Sequence, residues 1–185
     1  MMEWTAFEDQ ARAEGYTCIC GIDEAGRGPL AGPVYAAAVV LRPGQVIEGV
    51  DDSIKLSDNK REALFDTICS QCAAYGIGSA TEKEIDEINI LNATYLAMQR
   101  AVAALPVQPD CALVDGNRAP DLPLEVRTII KGDAQSASIA AASILAKVSR
   151  DRYMLQMAEK YPQYAFEKHK GYGTKLHYER LEQYG

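Results

Sequence analysis

The chain has 185 residues, 48% of them hydrophobic and 24% charged, with a net charge of −7. This is the make-up of one ordinary globular domain, long enough to bury roughly 70% of the surface its unfolded form exposes. It excludes a helical membrane span, because no apolar run approaches the ~20 residues needed, and a protein that coats itself in nucleic acid.

Residues 1–16, MMEWTAFEDQARAEGY, are polar and mostly acidic with no apolar signal core. They predict a short amphipathic helix with Trp4, Phe7 and Ala11 on one face, not a secretory leader. TCICGIDE predicts a buried strand that enters a glycine-rich turn, and VYAAAVVL (34–41) a second strand antiparallel to it. Ser57 and DNKREALFDTICSQCAA predict an N-capped helix that Gly76 stops, followed by a short strand, YGIGSA. Thr81 and Glu84 stand in capping-box spacing, and the helical period after them continues to Pro106. CALVD (111–115) and LEVRTII (124–130) read as strands. A long helix follows Lys131-Gly132-Asp133, with Ala at 134, 137, 140, 141, 142 and 146, which implies close packing on a sheet. A hairpin-like group and then alternating strands and helices predict a mixed sheet flanked by helices, an α/β or α+β sandwich. No repeat or linker divides it.

The five cysteines make no disulfide framework, and Cys69-Ser-Gln-Cys72 has neither a second CxxC nor a nearby His. Reduced, mostly buried thiols in a cytoplasmic protein are expected. Nothing signals an oligomer, so a monomer is the default. The charge is split: residues 1–124 carry 9 Lys/Arg against 19 Asp/Glu (−10), and residues 125–185 carry 10 against 7 (+3). A basic last third can hold a polyanion on one face; drift of surface charge explains it equally well.

Three places share one design. Asp23 and Glu24 end the first strand, Asp115 ends CALVD, and Asp133 lies between a strand end and the Ala-rich helix. Singly, Asp115-Gly116-Asn117 is turn chemistry and Asp133 an N-cap. Two adjacent charges at the end of so apolar a strand have no such explanation. If the strands are neighbours, four carboxylates converge at one sheet edge, where only a cation relieves their repulsion. Oxygen ligands without His or Cys favour Mg²⁺ or Mn²⁺, and a pair of such ions suits phosphodiester cleavage. The glycines of GIDEAGRGPLAGPV are no dinucleotide fingerprint, since a strand and not a helix follows them. A Walker loop lacks its G-K-[ST], and an actin-like ATPase needs two lobes that 185 residues cannot supply.

GIDEAGRGPLAGPV, KLSDNKREAL, EIDEINILNATYLAMQRAV, LVDGN, KGDAQSASIAAASILAKVSRDRYM and YPQYAFEKHKGYGTKLH together resemble bacterial type 2 ribonuclease H, ribonuclease HII, over roughly residues 16–182. The resemblance implies a ribonuclease H-like fold, a single domain over 1–185, with a basic helical segment from about 150 to 185 contributing to substrate binding. It implies that Asp23, Glu24, Asp115 and Asp133 are the catalytic, metal-holding quartet for two Mg²⁺ or Mn²⁺ ions. It further implies an endonuclease that cuts the RNA strand of RNA–DNA hybrids and nicks 5′ of single ribonucleotides in duplex DNA, leaving 3′-hydroxyl and 5′-phosphate ends.

In that family the loop matching Gly26-Arg27-Gly28 reads the 2′-hydroxyl, the group that separates RNA from DNA, and the tyrosine matching Tyr172 packs on the adjacent deoxyribose. Lys55, Lys131, Lys147, Arg150, Lys168, Lys170 and Lys175 are candidate phosphate contacts, with His169 and His177 as further ones. Two departures stand out. Ile54 occupies a position that is usually lysine, and the chain stops at HYERLEQYG where relatives often continue into a basic tail. Both point to weaker non-specific affinity for duplex, and the second to no tail-mediated clamp contact.

Overall fold

The computed structural model describes residues 3–27, 32–50 and 56–160. Five strands form one mixed sheet in the order β3-β2-β1-β4-β5. They are β1 (Ile19–Ala25), β2 (Val34–Val40), β3 (Ala74–Ala80), β4 (Cys111–Asp115) and β5 (Glu125–Ile129). β1 pairs antiparallel with β2, and β2 with β3, whereas β1–β4 and β4–β5 are parallel. Helix α1 (Ala6–Ala13) precedes the sheet; α2 (Asp58–Gln71), α3 (Glu82–Ala103) and α4 (Ala137–Lys160) follow in turn. Among the described residues no helix is long and apolar enough to cross a membrane.

Strand alternation sends side chains to opposite faces, and each face acquires its own core. Cys20, Ile22, Ala112 and Val114 meet Ala93, Ala97, Met98 and Ala101 of α3 on one side. On the other, Ala37 and Val39 meet Ala140, Ala141, Ile144 and Leu145 of α4, with Ile68 of α2 beyond them. Of the alanines expected to permit close packing, Ala137, Ala140, Ala141, Ala142 and Ala146 are buried on α4, whereas Ala134 is half-buried in the turn before it. α4 also comes close to β1 at Gly21, where a Cβ would lie 2.4 Å from the Ile139 nitrogen.

Three expectations change. Phe7 is exposed on α1, and Glu8 takes the buried position beside Ala11, because the groups α1 covers on α4 are polar. Ser57 does cap α2, accepting from the Lys60 N–H, but the helix ends at Gln71 rather than at Gly76. Gly76 lies inside β3 for a packing reason: a Cβ there would stand 2.2 Å from the Ala101 carbonyl oxygen, and one on Gly78 2.4 Å from the Ala101 nitrogen. Gly76→Ala should therefore push α3 off the sheet and cost about 2 kcal/mol or more, lowering Tm by roughly 4–8 °C for a chain of this size. Calorimetry would show it; an unchanged Tm would mean that α3 has room to move.

The third change is in α3. The capping box of Thr81 and Glu84 forms in both directions, at 3.2 and 3.0 Å. The helical period then breaks at Asn89, which adopts φ 70° and ψ 169°. Its side-chain oxygen accepts the Asn92 N–H at 3.0 Å, so it serves as N-cap to a second helical stretch.

Candidate active site

The carboxylates gather at the C-terminal ends of the two central strands, not at a lateral edge of the sheet. The parallel register sets Ile22 opposite Val114, so the next residues along, Asp23 and Asp115, are neighbours. β4 in turn sets Asp115 opposite Ile129 of β5. From there the chain turns through Lys131, whose backbone is left-handed at φ 55°, into a 3₁₀ turn at Gly132–Ala134. That turn swings Asp133 back over the strand ends, where its N–H donates to Asp115 Oδ1 at 3.3 Å. Asp133 is thus no cap of α4. Ser136 is, its hydroxyl accepting the Ile139 N–H.

Asp23 and Glu24, adjacent on a strand, face opposite sides of it. Asp23 is buried at 4% exposure, and its Oδ1 accepts the Glu24 N–H at 2.8 Å. Burial, and then the charges of Glu24 and Asp115, hold its pKa well above the ordinary 3.8. Glu24 is raised by burial and by Asp115, against lowering contributions from Asp23 and Arg27. Asp133 is raised by burial and by Asp115. Among the described residues, no three acidic, His or Cys side chains already close on one point as a metal cage. The carboxylates are brought together in a chain of neighbours: Glu24 beside Asp23, Asp23 beside Asp115, Asp115 beside Asp133.

A hard divalent cation fits this set. Among the described residues Glu24 Oε2 is buried with no hydrogen-bond partner, a costly state for a charged oxygen. The neighbouring donors are all carboxylate oxygens, and a cation relieves the desolvation and the repulsion together.

Glu24 and Asp115 also line a cavity of about 360 Å³. Its apolar wall is one face of α3, Leu91, Thr94, Tyr95 and Met98, spaced at i, i+3, i+4 and i+7 and set by the restart at Asn89. Arg27 and Arg118 bring positive charge to its lining. Arg118, Asn89 and the α3 wall were not singled out from the sequence; the spacing of Leu91, Tyr95 and Met98 was the available signal.

The predicted substrate contacts divide. Gly26 is buried with φ +108°, and Arg27 beside it is exposed. Lys147 is half-buried on α4, and Lys131 is exposed beside Asp133. Gly28, Lys55, Lys170 and Tyr172 lie outside the described residues, as do Ile54, Lys168, Lys175 and both histidines. Arg150 is no surface phosphate contact: it is 2% exposed and donates through Nε to the Pro33 carbonyl.

Glu8 went unnoticed in the sequence because one glutamate on a polar helix carries no signal. Its Oε2 accepts from the Ser136 hydroxyl (2.7 Å), the Ser138 hydroxyl (2.7 Å) and the Ser138 N–H (3.1 Å), all in the buried interior. With the Trp4 carbonyl accepting the Ala137 N–H at 2.8 Å, α1 ties down the first turn of α4 directly after Asp133.

A family model described as Ribonuclease HII matches residues 20–185. A ribonuclease HII from Caldicellulosiruptor bescii is 58% identical over 178 residues, 96% of this chain and 86% of that one. Among solved structures, ribonuclease H2 from Pyrococcus horikoshii OT3 superposes with a TM-score of 0.77 at 30% identity, covering 91% of this chain and 87% of that one. Bst-RNase HIII in complex with Mn²⁺ superposes at 0.67 and 20% identity, over 81% of this chain and 57% of that one, a likeness of fold alone. The fold is ribonuclease H-like.

Proposed function

Because the chain belongs to the ribonuclease HII family, a family of metal-dependent endonucleases acting on RNA–DNA hybrids, we propose that it also nicks 5′ of single ribonucleotides embedded in duplex DNA. Asp23, Glu24, Asp115 and Asp133 are its catalytic, metal-holding residues in this reading. The observation that carries it is the succession of these four residues, each beside the next, at the ends of β1 and β4, with Glu24 Oε2 buried and without a partner among the described residues.

Two Mg²⁺ or Mn²⁺ ions held there would lower the pKa of a bound water and offset charge on the leaving oxygen. The residues themselves do the rest. Burial and mutual repulsion raise the pKa values of Asp23, Glu24 and Asp133, and a bound cation would favour their charged forms. The oxygen of water joins phosphorus, the P–O3′ bond breaks, and the 3′-oxygen gains a proton, leaving 3′-hydroxyl and 5′-phosphate ends. Gly26, Arg27 and Gly28 offer backbone N–H and C=O groups to the 2′-hydroxyl, which donates and accepts. Arg27 adds a positive charge beside Glu24. Tyr172 supplies a platform for the neighbouring deoxyribose, and Lys55, Lys147 and Lys170 meet phosphates, with the basic segment of about 150–185 forming the duplex-binding side. The protein acts in the cytoplasm as a monomer.

An end-labelled DNA duplex with one embedded ribonucleotide tests this. The expected result is a single nick on its 5′ side with Mg²⁺ or Mn²⁺, and none with EDTA or on all-DNA duplex. Binding without a cut under either metal would defeat the assignment of the quartet.

A further inference from the structure

Arg150 sits on α4 with 2% of its surface exposed, a rare fate for an arginine. Its Nε donates to the Pro33 carbonyl at 2.9 Å. Backbone presses on it at two points distant in the loop. A Cβ on Gly26 would lie 2.6 Å from Nε and 2.9 Å from Cδ, and one on Gly32 would lie 2.7 Å from Nη2. Both glycines hold left-handed φ angles, +108° and +97°, that other residues adopt only with strain. The same Gly26 Cβ position is 2.7 Å from the Pro33 carbonyl oxygen, so the two ends of the Gly26–Pro33 segment meet over this one side chain.

We propose that Arg150 is a positioning residue for ribose recognition. It fixes the two ends of the Gly26–Pro33 segment against each other, and with them the backbone of Gly26 and Arg27 that is offered to the 2′-hydroxyl. The inference rests on the reading of that loop given above. The chemistry requires arginine. A guanidinium is flat enough to lie under two Cα atoms, carries its Nε donor within the stem, and is less strongly hydrated than an ammonium. Lysine offers no donor at the Nε position and resists burial.

The test is equilibrium binding of two duplexes of one sequence, all-DNA and with a single ribonucleotide, to the full chain and to Arg150→Lys, with Ca²⁺ in place of the catalytic ion. The wild type should prefer the ribonucleotide duplex, and Arg150→Lys should reduce that preference at least about fivefold, roughly the worth of one misplaced hydrogen bond. Affinity for all-DNA duplex should stay as it was. Lower stability alone scales both dissociation constants by one folded fraction and leaves their ratio untouched, so even a partly unfolded variant decides the matter. A wild-type preference retained in full by Arg150→Lys overturns this inference alone. No preference in the wild type overturns the loop reading and this inference with it.

Discussion

Asp23→Asn should abolish cleavage of RNA–DNA hybrid while making the metal-free protein harder to melt. The loss in kcat should be at least about 10³-fold, because a missing metal ligand removes several kcal/mol of charge stabilisation. The fold should survive, since an Asn oxygen can still accept the Glu24 N–H. The gain in stability comes from ionisation. Asp23 is raised well above 3.8, first by burial and then by Glu24 and Asp115, so the folded state holds a proton that the unfolded state has released. Near the unfolded pKa and below it both states are protonated, and the variant gains nothing. As pH rises through the folded-state value, the wild type loses stability that the amide keeps. Melting curves of both metal-free proteins from pH 4 to pH 8 should diverge upward with pH. Parallel curves would mean that Asp23 ionises without strain, and wild-type turnover would remove it from the reaction.

Glu8→Ala should be the most damaging change far from any proposed substrate contact. The Ser136 and Ser138 hydroxyls and the Ser138 N–H would lose their common acceptor inside the protein. Unsatisfied buried donors that had met a charged group should together cost about 3 kcal/mol, or roughly 6–12 °C in Tm. Activity measured where the variant is still folded should fall as well, because Ser136, the cap of α4, lies three residues after Asp133. A cooperative melt within a degree or two of wild type would show that water replaces the carboxylate.

Much of this was legible before any coordinates. β1, β2 and β4 announced themselves by apolar runs, and the Thr81–Glu84 box is a local signal that formed as read. The acidic residues stood out because Asp23 and Glu24 contradict the strand they end. Other features were hidden, for separable reasons. Gly76 reads as a helix stop in one dimension, but its purpose is to let α3 reach β3, a contact between segments some 25 residues apart. Asn89 sits in an unbroken helical period, and its restart of α3 depends on one side chain turning to cap its own backbone. Glu8 and Arg150 look like ordinary surface charges. Only their partners, 128 and 117 residues away, make them interior groups.

The side-by-side fit of α4 and β1 carries one more consequence. Ile139 abuts Gly21 and Arg150 abuts Gly26. Eleven helical steps of about 1.5 Å cover roughly 16 Å, and five strand steps of about 3.3 Å cover the same length. The helix is therefore a ruler laid along the strand, zeroed beside Asp133 and read off at the glycine loop. Chain length between these marks is more tightly constrained than composition. A residue added to or removed from α4 between 139 and 150 would turn Arg150 by about 100° as well as shift it, taking the guanidinium out from under Gly26 while every carboxylate stayed in place.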